Sequence, residues 1–275
     1  MAAKRKFSLD MVASGAKQAI GKGTPRVRDL ELRDQHEGDV PKTIVDNFTG
    51  TKIVYAFDIE THDIIQENTS TWLNGQYGFP ARVPQSAIES LRIIQIGWAV
   101  GPIDCNEPAT FLRYVRPEGF NITKAATATH RLTQKVVEDH GDTLECVLKD
   151  FMASVQDWYA RGARMAAHQI EFDAGIIARE MDRCGLHDLS AFWCEAVRAG
   201  VCTMDPTLCN WIRVLSGDGD AAGRPRTGPL GLKDSVLLMV PHTKELRQKH
   251  HAADKDAEMT WLLCKSIASR CSSKL

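Results

Sequence analysis

Apolar and polar positions alternate with two different periods along this chain. Ile53 to Phe57 is an apolar run that meets Asp58-Ile59-Glu60. A run of that length predicts a buried strand over 53–58. "RIIQIGWAVG" (92–101) and "TFLRYVRP" (from Thr110) predict a second and a third strand. No long helical period separates them, so antiparallel neighbours are expected. The period then changes. Leu144, Val147, Leu148, Phe151, Met152, Val155, Trp158 and Tyr159 follow at helical spacing. Asp142 and Glu145 have the spacing of a capping box, and Gly162 supplies a stop. "ARMAAHQI" (163–170) reads as a strand, "AGIIAREMDRCG" (174–185) as a helix and "GVCTM" (200–204) as a short strand. Asp205-Pro206 places an N-cap and a first-turn proline before Leu208, Trp211, Ile212 and Leu215. A last helix is predicted over about 253–269 from the same periodicity. Strands first, then strands alternating with helices, predict an α/β fold with a mixed sheet.

Other segments lack this periodicity. Ile64 to Ser90 is a long polar and aromatic stretch with Trp72, Tyr77 and Phe79. These rings have two readings, base stacking or packing of the insertion onto the core. "SGDGDAAGRPRTGP" (216–229) is a Gly- and Pro-rich loop whose Arg224 and Arg226 suit phosphate contact or simple solvation. Residues 1–48 form an extension, basic up to Arg28 and acidic from Asp29 to Asp46. Its poor periodicity predicts a flexible segment before a domain at 49–270, with a short tail at 271–275.

Composition narrows the function. The 275 residues are 43% hydrophobic and 25% charged, an ordinary globular balance. No apolar stretch approaches the ~20 residues of a membrane helix, and the opening segment lacks a signal-peptide core. Eight scattered cysteines without a Cys-x-x-Cys pair predict free thiols in a reducing compartment. An intracellular protein, cytoplasmic or nuclear, is expected. The terminal Ser273-Lys274-Leu275 has the form of a peroxisomal address. A net charge of −1 argues against holding long nucleic acid by coating phosphates, but not against nucleic acid as a substrate.

Four acids lie at element edges beside apolar residues. They are Asp58 and Glu60 in "FDIET", Asp173 in "HQIEFDAGI" and Asp256 in "HHAADKDAE". On a strand, residues 58 and 60 project from the same face. Adjacent carboxylates repel, and desolvation sharpens the repulsion. Hard cations reverse the balance, and Mg²⁺ favours such oxygens. Two such ions clamp the attacking and leaving oxygens of a phosphodiester. His251 lies five residues before Asp256 and would diverge from it on an ideal helix. It is therefore expected in the loop entering the helix, with Asp256 in the first turn.

These ordered motifs resemble the DEDDh family of 3′→5′ exonucleases. "FDIET" is similar to the family's first motif, "AHQIEFD" to its second and "HHAADKDAE" to its third. "RIIQIGWAV" resembles its second strand, and "VRPEGFNITKAATATHRLT" the segment ending in His-Gly-Ile-Thr. The resemblance runs from about Lys52 to Ser266. It implies an RNase H-like five-stranded mixed sheet flanked by helices. By position it implies that Asp58, Glu60, Asp173 and Asp256 hold two Mg²⁺ or Mn²⁺ ions and that His251 is the general base. It implies release of 5′-mononucleotides from the 3′ end of single-stranded nucleic acid. Ile59, Thr61, His62, His168, Gln169 and His130 would lie near the terminal nucleotide. On the residues alone, His130 and His168 read more simply as hydrogen-bonded structural histidines. Lys124, Arg131 and Lys135 read either as a backbone path or as a solvated face.

Two departures from the family pattern concern substrate contacts: Gln169 replaces Asn, and Arg131 replaces Gly. RNA is the expected substrate, because near-zero net charge suits short substrates. DNA is the alternative, and a non-catalytic nucleic-acid-binding scaffold is the reading from another class. A homodimer is compatible with the sequence, which points to no particular protein partner and to no membrane.

Overall fold

The structure is a computed structural model, and it describes residues 40–64, 89–218, 229–240 and 243–272. In chain order the elements are α1 (Lys42–Phe48), β1 (Ile53–Thr61), β2 (Ile93–Pro102), β3 (Ala109–Tyr114), α2 (Lys124–His130), α3 (Gln134–His140), α4 (Leu144–Ala160), β4 (Arg164–Ala167), α5 (Ile170–Arg183), α6 (His187–Arg198), β5 (Val201–Cys202), α7 (Pro206–Ser216), α8 (Leu232–Met239), α9 (Lys244–Gln248) and α10 (Ala253–Ser272). The strands form one sheet in the order β3-β2-β1-β4-β5. β1 and β2 pair antiparallel, as do β2 and β3. β4 lies parallel to both β1 and β5. The sheet is mixed, as expected.

Strand parity assigns the two faces. Tyr55, Phe57 and Ile59 point into one core with α4, α5 and α6. There Phe57 packs edge-on to Trp193 at 4.9 Å between centroids, and the Trp193 indole donates to the Ala174 carbonyl at 3.0 Å. Val54 and Ala56 point into a second core with α1, α7, α8 and α10. Asp58 and Glu60 share the parity of Ala56 and so belong to the α10 face. Ala56, Ala99 and Ala166 keep that face shallow, which lets α10 lie close. Trp261 of α10 is locked to β2 by an indole hydrogen bond to the Gly101 carbonyl at 3.1 Å.

Several boundaries differ from those expected. The first strand continues to Thr61, because Ile59 and Glu60 still pair with Ile96 and Gln95 before the register shifts between Glu60 and Thr61. The two acids therefore lie inside the paired strand, not beyond its end. α4 is capped by Thr143, whose hydroxyl accepts from Cys146 N. Asp142 is engaged elsewhere, its N–H donating to Tyr114 O and its carbonyl accepting from Arg116 N. The strand expected over 163–170 stops at Ala167, because Gln169 turns left-handed (φ 75°) and α5 starts at Ile170. α7 begins as predicted, with Asp205 accepting from Thr207 N and Leu208 N.

The flexible segment expected over residues 1–48 does not hold for its last part. Lys42–Phe48 is helical, and Ile44 and Phe48 are buried in the α10-side core. α10 runs to Ser272, with Cys271 buried, so the expected tail boundary also moves. Residues 1–39, Trp72, Tyr77, Phe79, Arg224, Arg226 and the terminal Ser-Lys-Leu lie outside the described residues.

Candidate active site

β4 pairs with β1 only as far as Ala56, and then the chain turns into α5. The edge of β1 beyond Ala56 is thereby left to the first turn of α5, which carries Asp173. On the other side, Asp58 pairs with Gly97 across β1 and β2. A methyl group on Gly97 would lie 2.1 Å from the Ala253 carbonyl carbon and 2.1 Å from Asp254 N. Only glycine lets the start of α10 settle onto the strand there. Gln95, buried two residues earlier, accepts from Ala253 N at 2.9 Å and fixes the same helix end. Three elements thus meet over one end of the sheet.

Asp58, Glu60 and Asp256 each present a carboxylate oxygen within 4.8 Å of the others. Glu60, Asp173 and Asp256 are buried. Burial, and then the charges of Asp173, Asp256 and Glu60, hold the Asp58 carboxyl well above the usual range. Burial and then Asp256 push Glu60 up to about 8. Asp173 is raised by burial and then by Glu60, with the Ile59 backbone amide partly offsetting this. Such a cluster is favourable only with protons or cations among the carboxylates. An all-oxygen donor set fits hard divalent ions.

A pH prediction follows for the metal-free protein. Between its ordinary value of 4.5 and about 8, Glu60 is protonated when folded and ionised when unfolded. The folded state binds the extra proton, so this contribution to stability is lost as pH rises through that window. In EDTA the denaturation midpoint is expected to fall from about pH 5 to about pH 8, and Mg²⁺ should flatten the fall. A midpoint in EDTA that climbs over that range would contradict the assignment.

His251 sits in the turn before α10, as expected, in a left-handed conformation (φ 70°). Its backbone N–H donates to Asp256 Oδ2 at 3.2 Å and Oδ1 at 3.3 Å. Burial and then the neighbouring His250 lower its imidazole to about 4, so it is neutral at pH 7. Both rings line a cleft of about 340 Å³ that also includes His130, Arg131, Leu132 and Lys249.

The residues expected near a substrate have mixed surroundings. The Ile59 side chain is in the core, so only its backbone faces the acids. Thr61 donates its hydroxyl to Asp63 O at 2.7 Å. His62 Nδ1 accepts from Arg92 N at 3.1 Å, and its ring packs edge-on to Phe120. His168 Nδ1 is 2.9 Å from Thr203 Oγ1, and burial lowers its ring to about 4. His130 is buried, with Nδ1 accepting from Leu132 N at 3.0 Å. In both histidines Nδ1 is engaged while Nε2 is buried without a partner among the described residues, and His130 also borders the cleft. Lys135 is paired with Asp139 on α3.

Arg131, Gln169 and His251 are the non-glycine residues with positive φ among the described residues. They stand at three different element ends: Arg131 closes α2, Gln169 precedes α5 and His251 precedes α10. Left-handed backbone costs most side chains ~1–2 kcal/mol, and such strain gathers at functional sites. This accounts for the Gly and Asn that the family pattern has at 131 and 169. Gln169→Asn is expected to raise stability by ~0.5–1 kcal/mol, since Asn tolerates this region better. An unchanged urea midpoint would count against it.

The sequence reading missed His250, Gln95 and Gly97. Gln95 had a signal, as a lone amide in an apolar strand, whereas Gly97 and His250 become informative only with α10 in place.

Comparison with known proteins gives the same fold. An exonuclease I structure that addresses how processivity is achieved superposes with a TM-score of 0.54 at 13% identity, over 80% of this chain and 41% of the other. Exonuclease I from Methylocaldum szegediense gives 0.51 at 15% identity, over 80% and 41%. The zinc-bound E. coli exonuclease I complex with single-stranded DNA gives 0.50 at 12% identity, over 80% and 41%. The chain spans about two fifths of the length of these exonuclease I chains. No curated protein matches the sequence. An exonuclease family model, that of RNase T, matches residues 82–217. That stretch contains Asp173; the fold adds Asp58 and Glu60 from before it and His251 and Asp256 from after it. Residues 82–217 thus match an exonuclease family, and the fold around them is that of the exonuclease I structures.

Proposed function

We propose that the protein is a divalent-metal-dependent 3′→5′ exonuclease acting on single-stranded nucleic acid, with RNA as its first substrate. The observation that carries this reading is the convergence of Asp58, Glu60 and Asp256 within 4.8 Å. Asp173 is close enough to raise the Asp58 carboxyl, and a neutral His251 stands at the rim. When bound by the four carboxylates, two Mg²⁺ or Mn²⁺ ions would supply Lewis-acid stabilisation to the attacking and leaving oxygens.

The chain's own residues do the rest. His251 is neutral at working pH and so accepts the proton of the attacking water. Asp256 anchors the His251 backbone and ties the base to the acid cluster. The turn at 130–132 and the turn at 249–252 wall a cleft of about 340 Å³. That volume lies at the low end of small-ligand pockets, roughly 300–1,000 Å³, and suits one terminal nucleotide. Arg131 and Lys249 supply positive charge along it. A release of 5′-mononucleotides follows from attack on the phosphorus with departure of the penultimate 3′ oxygen.

The near-neutral net charge of −1 supports short RNA over long polymers. Single-stranded DNA, the ligand of the E. coli exonuclease I complex, is the alternative. End-labelled RNA and DNA, incubated with the purified protein in Mg²⁺ or EDTA, separate the readings. Mg²⁺-dependent shortening of 5′-labelled RNA, with mononucleotide release from 3′-labelled RNA, is expected. Faster DNA shortening would reverse the sugar preference. Binding without any shortening would replace the enzyme with a scaffold.

A further inference from the structure

His250 plays no part in the proposed reaction, yet it is built into the site. Its Nδ1 lies 2.8 Å from Asp256 Oδ1. Its ring lies over that of His251, with centroids 3.8 Å apart and planes 30° apart. One ligand atom from each of His250, His251 and Asp256 falls within 4.8 Å of the other two. The left-handed turn at His251 (φ 70°) brings two consecutive side chains together that extended backbone would send apart.

We propose that His250, His251 and Asp256 form a binding site for a borderline divalent cation of the zinc type, and that its occupation switches the nuclease off. The donor set is two imidazoles and one carboxylate, a set that favours Zn²⁺ over Mg²⁺. Zinc–ligand bonds of ~2.0–2.1 Å in a tetrahedron place ligand atoms roughly 3.3 Å apart. The 2.8 Å contact opens slightly and the 4.8 Å limit contracts to reach that spacing. Both residues line the cleft, so water is at hand for the fourth position.

Occupation would tie up the His251 lone pair and draw Asp256 away from Asp58 and Glu60. The binding stands independently of the proposed reaction; the switching rests on His251 as its base.

Co²⁺ titrated into the full, metal-free chain tests the site directly. The expected result is the intense visible absorption of four-coordinate cobalt, displaced by Zn²⁺ and unaffected by millimolar Mg²⁺. His250→Asn retains a donor for Asp256 but loses a cation ligand. It should weaken Zn²⁺ binding at least ~10-fold, with an unchanged circular dichroism spectrum, and so should His250→Ala. The weak spectrum of octahedral cobalt, or equal Zn²⁺ affinity in both variants, would overturn the site. Zn²⁺ should also inhibit wild-type nuclease in excess Mg²⁺ at concentrations at least ~10-fold below those needed for His250→Asn. Four-coordinate binding with no inhibition would overturn the switch and the base role of His251, while leaving the site in place.

Discussion

Asp58→Asn is expected to lower nuclease turnover by roughly a thousandfold or more, while raising the melting temperature of the metal-free protein. Both effects come from one cause. Asp58 lies among the charges of Asp173, Asp256 and Glu60, in a recess that desolvates it. Without a cation, that placement works against folding. Asn keeps the shape and removes the ionisable group, so the repulsion disappears. With cations, the same carboxylate is a ligand to the catalytic ions, and Asn is a much poorer one. Stability and activity therefore move in opposite directions, as they do where a site is built at the expense of the fold. Thermal denaturation in EDTA and the end-labelled RNA assay in Mg²⁺ read the two halves. Full activity would remove Asp58 from the site. Lost activity with a lower melting temperature would mean that Asn disturbs the strand itself.

Gly97→Ala is expected to damage both at once. The added methyl group would meet backbone atoms of Ala253 and Asp254 at 2.1 Å, and neither can rotate away as a side chain would. The start of α10 must move. Overpacking of this kind costs ~1–3 kcal/mol, and a shift of about 1 Å in positioned catalytic groups costs about 100-fold in rate. Gln95 would also lose its hold on Ala253 N. Gly101→Ala is the control, since its methyl group would meet the Cys105 sulfur at 3.2 Å and no closer backbone. A Gly97→Ala protein with wild-type activity and stability would show that α10 does not depend on this close approach.

Much of this arrangement could be read from the chain. The apolar run before Asp58 placed both acids on a fixed strand, and their two-residue spacing put them on one face. The five-residue offset of His251 and Asp256 correctly separated a turn from a helix. What could not be read is tertiary in origin. Asp142 looked like the better cap for α4, but its backbone is paired with Tyr114 and Arg116, and the role passed to Thr143. The strand expected to reach Ile170 ends at Ala167, because Gln169 adopts a conformation that its type disfavours. Lys42–Phe48 lies in a charged, weakly periodic stretch, and its helix is held by burial of Ile44 and Phe48 against residues far along the chain. His250 has the simplest explanation. Nothing in a His-His pair says that a left-handed turn will stack the two rings over a buried Asp.

The central claim is that four carboxylates from β1, α5 and α10 form one divalent-cation site beside His251. Direct counting of bound Mn²⁺ tests it, by calorimetry or electron paramagnetic resonance on the metal-free chain. Two ions per wild-type chain are expected, with one or none in Asp58→Asn and Asp256→Asn variants that retain wild-type circular dichroism. Mn²⁺ binding absent from the wild type, or equally tight two-ion binding in both variants, would contradict the account.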